Sequence, residues 1–256
     1  MNTTAVIKHI VAWLAKYSEA SFTKGFVVGV SGGVDSAVTS TLCALTGKNV
    51  IVVNMPILQP PSQYQRSNEH IEWLKSKFKN VTSFNVDLTK SFEQISTDLT
   101  NDIQDHLTMA NVRARLRMTT LYAYAGHYGY LVAGTGNKVE DFGVGFFTKY
   151  GDGGVDISPI ADLMKTEVFA LAKELDIIQS IQSAKPTDGL WDDDRSDEDQ
   201  IGATYPELEW AMTYNGKEST LSKREIEILA IYRKLNKANQ HKMKPIPVCV
   251  IPESLK

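Results

Sequence analysis

Two rhythms of apolar positions alternate through the first half of this chain. Ile7, Ile10, Val11 and Leu14 recur at i, i+3, i+4 and i+7, the stripe of an amphipathic helix. Phe26 to Val30 is a short unbroken apolar run, as expected for a strand covered on both faces. Helical spacing returns from about Val34 to Leu45 and closes at Gly47, a residue suited to the position just past a helix end. Val50 to Val53 is a second buried strand, and Val81 to Val86 gives a third. Between them, Ser62 to Phe78 reads as a helix with Ile71 and Leu74 facing inward. Helices are expected over roughly 89–100 and 104–128, and Leu131 to Ala133 is a fourth short strand. Short buried strands alternating with helices predict an α/β fold, a doubly wound parallel sheet flanked by helices.

Beyond about residue 140 the pattern loosens. A turn-rich segment is followed by a helix at 164–175 and an acidic stretch, 188–207, without apolar period. That stretch reads as a solvated loop or as a lid over bound ligand. A last helix, about 222–239, precedes a Pro-interrupted tail. No internal repeat or low-complexity tract breaks the chain, so residues 1–256 are expected to form a single domain.

Composition narrows the class. With 43% hydrophobic residues the chain can fill a core without a metal or disulfide staple. A net charge of -3 offers no general attraction to nucleic acid or to an anionic membrane, so any polyanionic ligand must be held by local Lys and Arg. The two cysteines, Cys43 and Cys249, lie in apolar surroundings far apart and are expected to be buried, inert thiols. The N-terminal segment is interrupted by Lys and His, unlike a signal peptide, and no apolar run approaches the ~18 residues a membrane span needs. A cytoplasmic location is expected.

The chemistry concentrates at Ser31-Gly32-Gly33-Val34-Asp35-Ser36, between the first strand and the helix after it. Adjacent glycines let the backbone turn sharply and approach a ligand. The helix behind them supplies unpaired N–H groups and the positive end of its dipole, a ready anion site. Ser31 and Ser36 add hydroxyls, and Asp35 is a hard oxygen ligand suited to Mg²⁺. Neither GxxxxGK[ST] nor GxGxxG occurs here. A lone SGG would read as a Gly turn before a capped helix; the full hexapeptide in strand–loop–helix context points to phosphate.

This segment resembles the pyrophosphate-binding loop of the N-type ATP pyrophosphatases, an adenine-nucleotide-alpha-hydrolase-like, Rossmann-like group. The resemblance implies adenylylation of a substrate oxygen, with pyrophosphate leaving and a nucleophile then displacing AMP. Asn111-Val112-Arg113-Ala114-Arg115-Leu116-Arg117-Met118, Gly134-Thr135-Gly136-Asn137-Lys138 and the segment Phe146 to Gly154, FFTKYGDGG, are similar to signatures of NAD synthetases. Lys185-Pro186-Thr187 and His241-Lys242 match as well, so the likeness spans about residues 5–250.

The resemblance implies that ATP and deamido-NAD react to an NAD-adenylate, which ammonia converts to NAD and AMP. It assigns ATP and pyrophosphate to Ser31, Gly32, Gly33, Asp35, Ser36, Thr135, Lys165 and Thr187, with Ser31, Asp35 and Lys165 catalytic. It assigns deamido-NAD to Asn111, Arg115, Arg117, Tyr122, Lys149, Asp152, His241 and Lys242. Of Arg113, Arg115 and Arg117, residues two apart cannot share a helix face, so they should diverge.

Mg²⁺ would sit on Asp35 and Glu140. The interval between the GTGNK and FFTKYGDGG anchors is one residue longer than the family pattern, which leaves Asp141 as the alternative to Glu140. Lys165 begins a predicted helix, where a cation opposes the dipole; such local conflicts tend to mark function. No glutaminase fits in 256 residues, so ammonia is expected from solution or a partner. A homodimer is implied, with the dinucleotide near the interface. The competing readings are another ATP pyrophosphatase acting on a different carboxylate, and a nucleotide-binding relative without turnover.

Overall fold

The computed structural model describes residues 1–187 and 196–256. Helix α1 (Thr3–Ala20) leads into β1 (Gly25–Gly29), α2 (Val34–Leu45), β2 (Asn49–Asn54), α3 (Pro61–Lys77) and β3 (Val81–Asn85). Next come α4 (Thr89–Asp98), α5 (His106–Tyr128) and β4 (Leu131–Val132). A π-helical turn, Val139–Val144, precedes α6 (Lys165–Glu174), α7 (Gln179–Gln182), α8 (Asp197–Ile201), α9 (Tyr205–Thr213) and α10 (Lys223–Met243).

The four strands are parallel in the order β3-β2-β1-β4, and Ala133 adds a parallel bridge to Ile157. After β1 the chain winds outward through β2 and β3, then returns to the other side of β1 as β4. The β1 and β4 loops therefore diverge at a topological switch point, where open α/β sheets leave a ligand crevice beyond the strand ends. SGGVDS follows β1 and GTGNK follows β4, so the fold itself brings the two motifs together.

Side chains of β1 alternate between two cores. Phe26 and Val28 pack with Leu14 of α1, Val38 of α2 and Leu171 of α6. Val27 faces the opposite way, toward Phe92 of α4 and Met109 of α5. A strand sandwiched like this needs apolar residues at every position, hence the unbroken run. Leu121 and Tyr122 of α5 pack on the second core. A third core joins Val139 and Val144 of the π-turn to Leu208 of α9 and Ile228 of α10.

Helix ends follow local chemistry. Asp105 caps α5 by accepting from the Thr108 amide, and Gly129 closes that helix at φ 69°. Three capping boxes, Ser196/Asp199, Thr204/Glu207 and Ser222/Glu225, start α8, α9 and α10. The first two correct the reading of 188–207 as a loop without apolar period: Asp197–Ile201 and the residues from Tyr205 are helical, with Ser196, Asp197 and Tyr205 buried. Whether 188–195 form a lid lies outside the described residues.

The last helix also runs past 239, to Met243. Cys43 is buried as expected, but Cys249 is exposed, because the tail after Met243 packs on nothing that covers it. An alternating apolar segment signals burial only where a neighbouring layer receives it.

Candidate active site

The SGG loop is shaped by its own serines. The Ser31 amide donates to Ser36 Oγ at 3.2 Å, and that hydroxyl donates to the Gly33 carbonyl at 3.0 Å. Gly32 sits at φ 84°, and a Cβ there would lie 2.7 Å from the Gln63 carbonyl oxygen, so the turn admits only glycine. No side chain caps α2 at Gly33, which leaves its positive end to an incoming anion.

Behind the loop, Lys165 opens α6 yet is only 3% exposed. Its ammonium donates to Asp35 Oδ2 at 2.6 Å and to Glu140 Oε1 at 2.9 Å. The two carboxylates pull the Lys165 pKa upward against the burial that would lower it. Burial raises the Asp35 pKa. Burial pushes Glu140 the same way, but Lys165 and the Tyr205 hydroxyl outweigh it and hold that carboxyl low.

Asn137 ties the cluster to the β4 loop, donating to Asp35 at 3.1 Å and accepting from the Val139 and Glu140 amides. Asp141 lines the same cavity without contacting Lys165, and lies against Gly136, where a Cβ would meet its carboxylate at 2.1 Å. Burial and the charges of Glu140, Asp152 and Asp35 push Asp141 up to about 8. The π-turn, Val139–Val144, lies between the two anchors. Its wider coil holds one more residue than an α-helical turn over the same path, a device found mostly at functional sites.

The FFTKYGDGG loop folds across α5. Asp152 accepts from the Thr148 amide at 2.9 Å, and Thr148 donates to Asn111 of α5. Lys242, from the end of α10, donates to the carbonyls of Gly145 and Phe147. Burial lowers the Lys242 pKa, with Asp152 opposing. The three arginines of α5 do diverge. Arg113 stacks on Phe92, Arg115 reaches the Lys149 carbonyl at the surface, and Arg117 donates to the Met55 carbonyl at 3.1 Å and to Gln59.

All of this surrounds one cavity of about 470 Å³, within the range of small-molecule sites. Ser31, Gly32, Gly33, Asp35, Ser36, Thr135, Glu140, Lys165 and Thr187 line it. So do Asn111, Arg117, Asp152 and Lys242. Four expected residues stand outside its lining: Arg115, Tyr122, Lys149 and His241. Tyr122 hydrogen-bonds Asp156 at 2.9 Å, and Lys149 donates to the His241 carbonyl at 2.6 Å, so both brace the wall from behind.

Sequence reasoning missed Arg66, whose Nε lies 3.4 Å from the Gly32 carbonyl, and Asp197, both lining the cavity. It also missed Tyr205, which donates to Glu140. The Thr204/Glu207 capping box could have revealed the Tyr205 helix, though not its target.

Among the described residues, no three His, Cys, Asp or Glu side chains converge as a ready metal site. Asp35 and Glu140 nonetheless meet on one cation, the Lys165 ammonium. That pair suits Mg²⁺, which is commonly held by one or two carboxylates with substrate phosphates completing its shell.

Residues 6–246 match the family model described as NAD synthase. The chain is 38% identical to an NH(3)-dependent NAD(+) synthetase of Mycoplasma genitalium, over 81% of this chain and 82% of that one. It is 35% identical to the corresponding enzyme of Carboxydothermus hydrogenoformans, over 96% and 97%. Among solved structures, an NMN synthetase from Francisella tularensis superposes with a TM-score of 0.86 at 31% identity, covering 99% of both chains.

Proposed function

The chain belongs to the NAD synthase family, ATP-dependent ligases that form an amide C–N bond and release AMP, and from that premise we propose that it makes NAD from deamido-NAD and ammonia. The observation that carries the reading is a single cavity bounded by the SGGVDS loop, the Asp35–Lys165–Glu140 cluster and the FFTKYGDGG loop. A phosphate site and a second polar-ligand site thus share one volume, as a two-substrate reaction requires.

In the first step the nicotinate carboxylate attacks the α-phosphorus of ATP, forming the NAD-adenylate and expelling pyrophosphate. The loop backbone, the positive end of α2 and Lys165 bear the charge that collects on the leaving pyrophosphate. Bound Mg²⁺, held by Asp35 and Glu140, would neutralise phosphate oxygens. Thr135 and Thr187 flank the nucleotide. Asn111, Arg117, Asp152 and Lys242 orient the dinucleotide, while Arg115, Tyr122, Lys149 and His241 support that wall. In the second step ammonia attacks the activated carbonyl, gives up a proton, and AMP leaves. The work is alignment and charge compensation in a closed space.

Residues 1–256 act as one catalytic domain, taking ammonia from solution or from a partner. The reading makes the enzyme cytoplasmic and homodimeric, and light scattering on the purified protein checks the second point. No described helix is long and apolar enough to cross a membrane.

The likeness to the NMN synthetase favours one alternative acceptor, the mononucleotide of nicotinic acid. One experiment covers both. The protein is incubated with ATP, Mg²⁺ and an ammonium salt, with deamido-NAD, with nicotinate mononucleotide, or with neither. AMP and pyrophosphate formed together with NAD, and only with the dinucleotide, is the expected result. NMN formation at a higher kcat/KM moves the assignment to the mononucleotide. ATP cleavage without either acceptor, or none at all, overturns the reading.

A further inference from the structure

Tyr205 is a buried phenol at the start of α9 that none of the chemistry above uses. Its hydroxyl donates to Glu140 Oε1, the same oxygen that receives the Lys165 ammonium. Asp197, on the preceding helix α8, lies 3.3 Å from that hydroxyl. The Tyr205 ring lies beneath the Lys165 ammonium, with Nζ 4.8 Å from its centroid. One residue therefore touches two members of the Asp35–Lys165–Glu140 cluster, the anion through its O–H and the cation through its π face. The phenol is placed as a donor to Glu140.

We infer that Tyr205 is a positioning residue for the divalent cation of the nucleotide. Its hydroxyl fixes the Glu140 carboxylate in the orientation in which Glu140 and Asp35 share one cation, and its ring keeps Lys165 beside them. A free glutamate has three side-chain torsions; Lys165 and Tyr205 reach the same Glu140 oxygen from two separate elements and hold the carboxylate from two sides. Partners that orient a ligand in this way commonly change metal affinity about 10–100-fold when removed. Residues 196–205 then belong to the cation site, although their acidic composition suggested a solvated loop.

The inference rests on the proposed use of Asp35 and Glu140 toward Mg²⁺, so it is tested by binding rather than turnover. Tyr205→Phe keeps the ring and deletes only the donor. Mn²⁺ affinity is measured by electron paramagnetic resonance in the presence of ATP, and metal-free ATP affinity by calorimetry in a chelator. The expected result is Mn²⁺ binding weakened roughly tenfold, with metal-free ATP binding and the thermal midpoint unchanged. Unchanged Mn²⁺ affinity overturns the inference. Equal weakening of both affinities with a lowered midpoint also overturns it, because that marks a packing role alone. If the unsubstituted protein binds Mn²⁺ with ATP yet forms no amide, the functional reading fails and Tyr205 is still judged on its own result.

Discussion

With 3% of its surface exposed, the Lys165 ammonium is held between Asp35 and Glu140, and each carboxylate has it as a partner in return. Removing the lysine leaves two half-buried carboxylates facing each other with no cation between them. Breaking a buried ion pair from one side costs about 3–5 kcal/mol, so Lys165→Ala should lower the urea-unfolding free energy by that order and abolish amide formation. A loss below about 1 kcal/mol, the range of exposed pairs, would mean that the cluster is wetter than its geometry implies. At this scale the sequence was partly legible. The loop hexapeptide exposed Asp35, and the misplaced charge at a helix start marked Lys165. Tyr205 was invisible, and Asn137 was visible only as part of GTGNK, since their contacts to Glu140 and Asp35 join residues 65 and 102 positions apart and leave no local spacing to read.

Helices α2 and α3 meet through a polar contact inside an apolar layer, and this gives the fold a pH dependence. His70 on α3 is fully buried, its Nε2 lies 3.0 Å from Ser40 Oγ on α2, and its ring stacks on Trp73. Burial lowers its pKa to about 4, from an ordinary 6.5. The unfolded chain therefore takes up a proton at His70 before the native protein does. The stability held by the neutral ring is full above about pH 6.5 and is lost as the pH falls toward 4. Linkage gives a loss of about 2 kcal/mol between pH 7 and pH 5 from this residue. Urea titrations at the two values should show a drop that shrinks by that amount in His70→Gln; identical pH sensitivity in both proteins would refute it. Elements were the most legible level. Unbroken apolar runs marked β1 and β2, where the sheet is covered on both faces, whereas the edge strand β3 is only half-buried; Ile71 and Leu74 gave the inner face of α3. Legibility failed at α8 and α9, where the helix signal is the capping boxes rather than an apolar stripe.

On the scale of the whole molecule, the motifs predicted their own assembly, because parallel winding through β1, β2 and β3 and back to β4 sets the two loops side by side. The C-terminal end was misread for a related reason. α10 belongs to the architecture: Ile228 and Leu229 complete the third core, and Lys242 holds the loop carbonyls of Gly145 and Phe147. The residues after it do not. Positions 244–256 are exposed throughout, including Ile246, Val248, Val250 and Ile251, so their apolar character records no burial within this chain. Ending the chain after Lys244 keeps the last anchoring side chain and removes only residues that cover nothing. Such a truncation should leave the unfolding free energy within about 0.5 kcal/mol, the range of changes remote from packed features, with the nucleotide affinity unchanged. Ending it after Gln240 removes Lys242 as well, and should loosen the FFTKYGDGG loop and weaken dinucleotide binding while ATP binding persists. Equal effects of the two truncations on dinucleotide affinity would show that the tail, rather than Lys242, secures that loop.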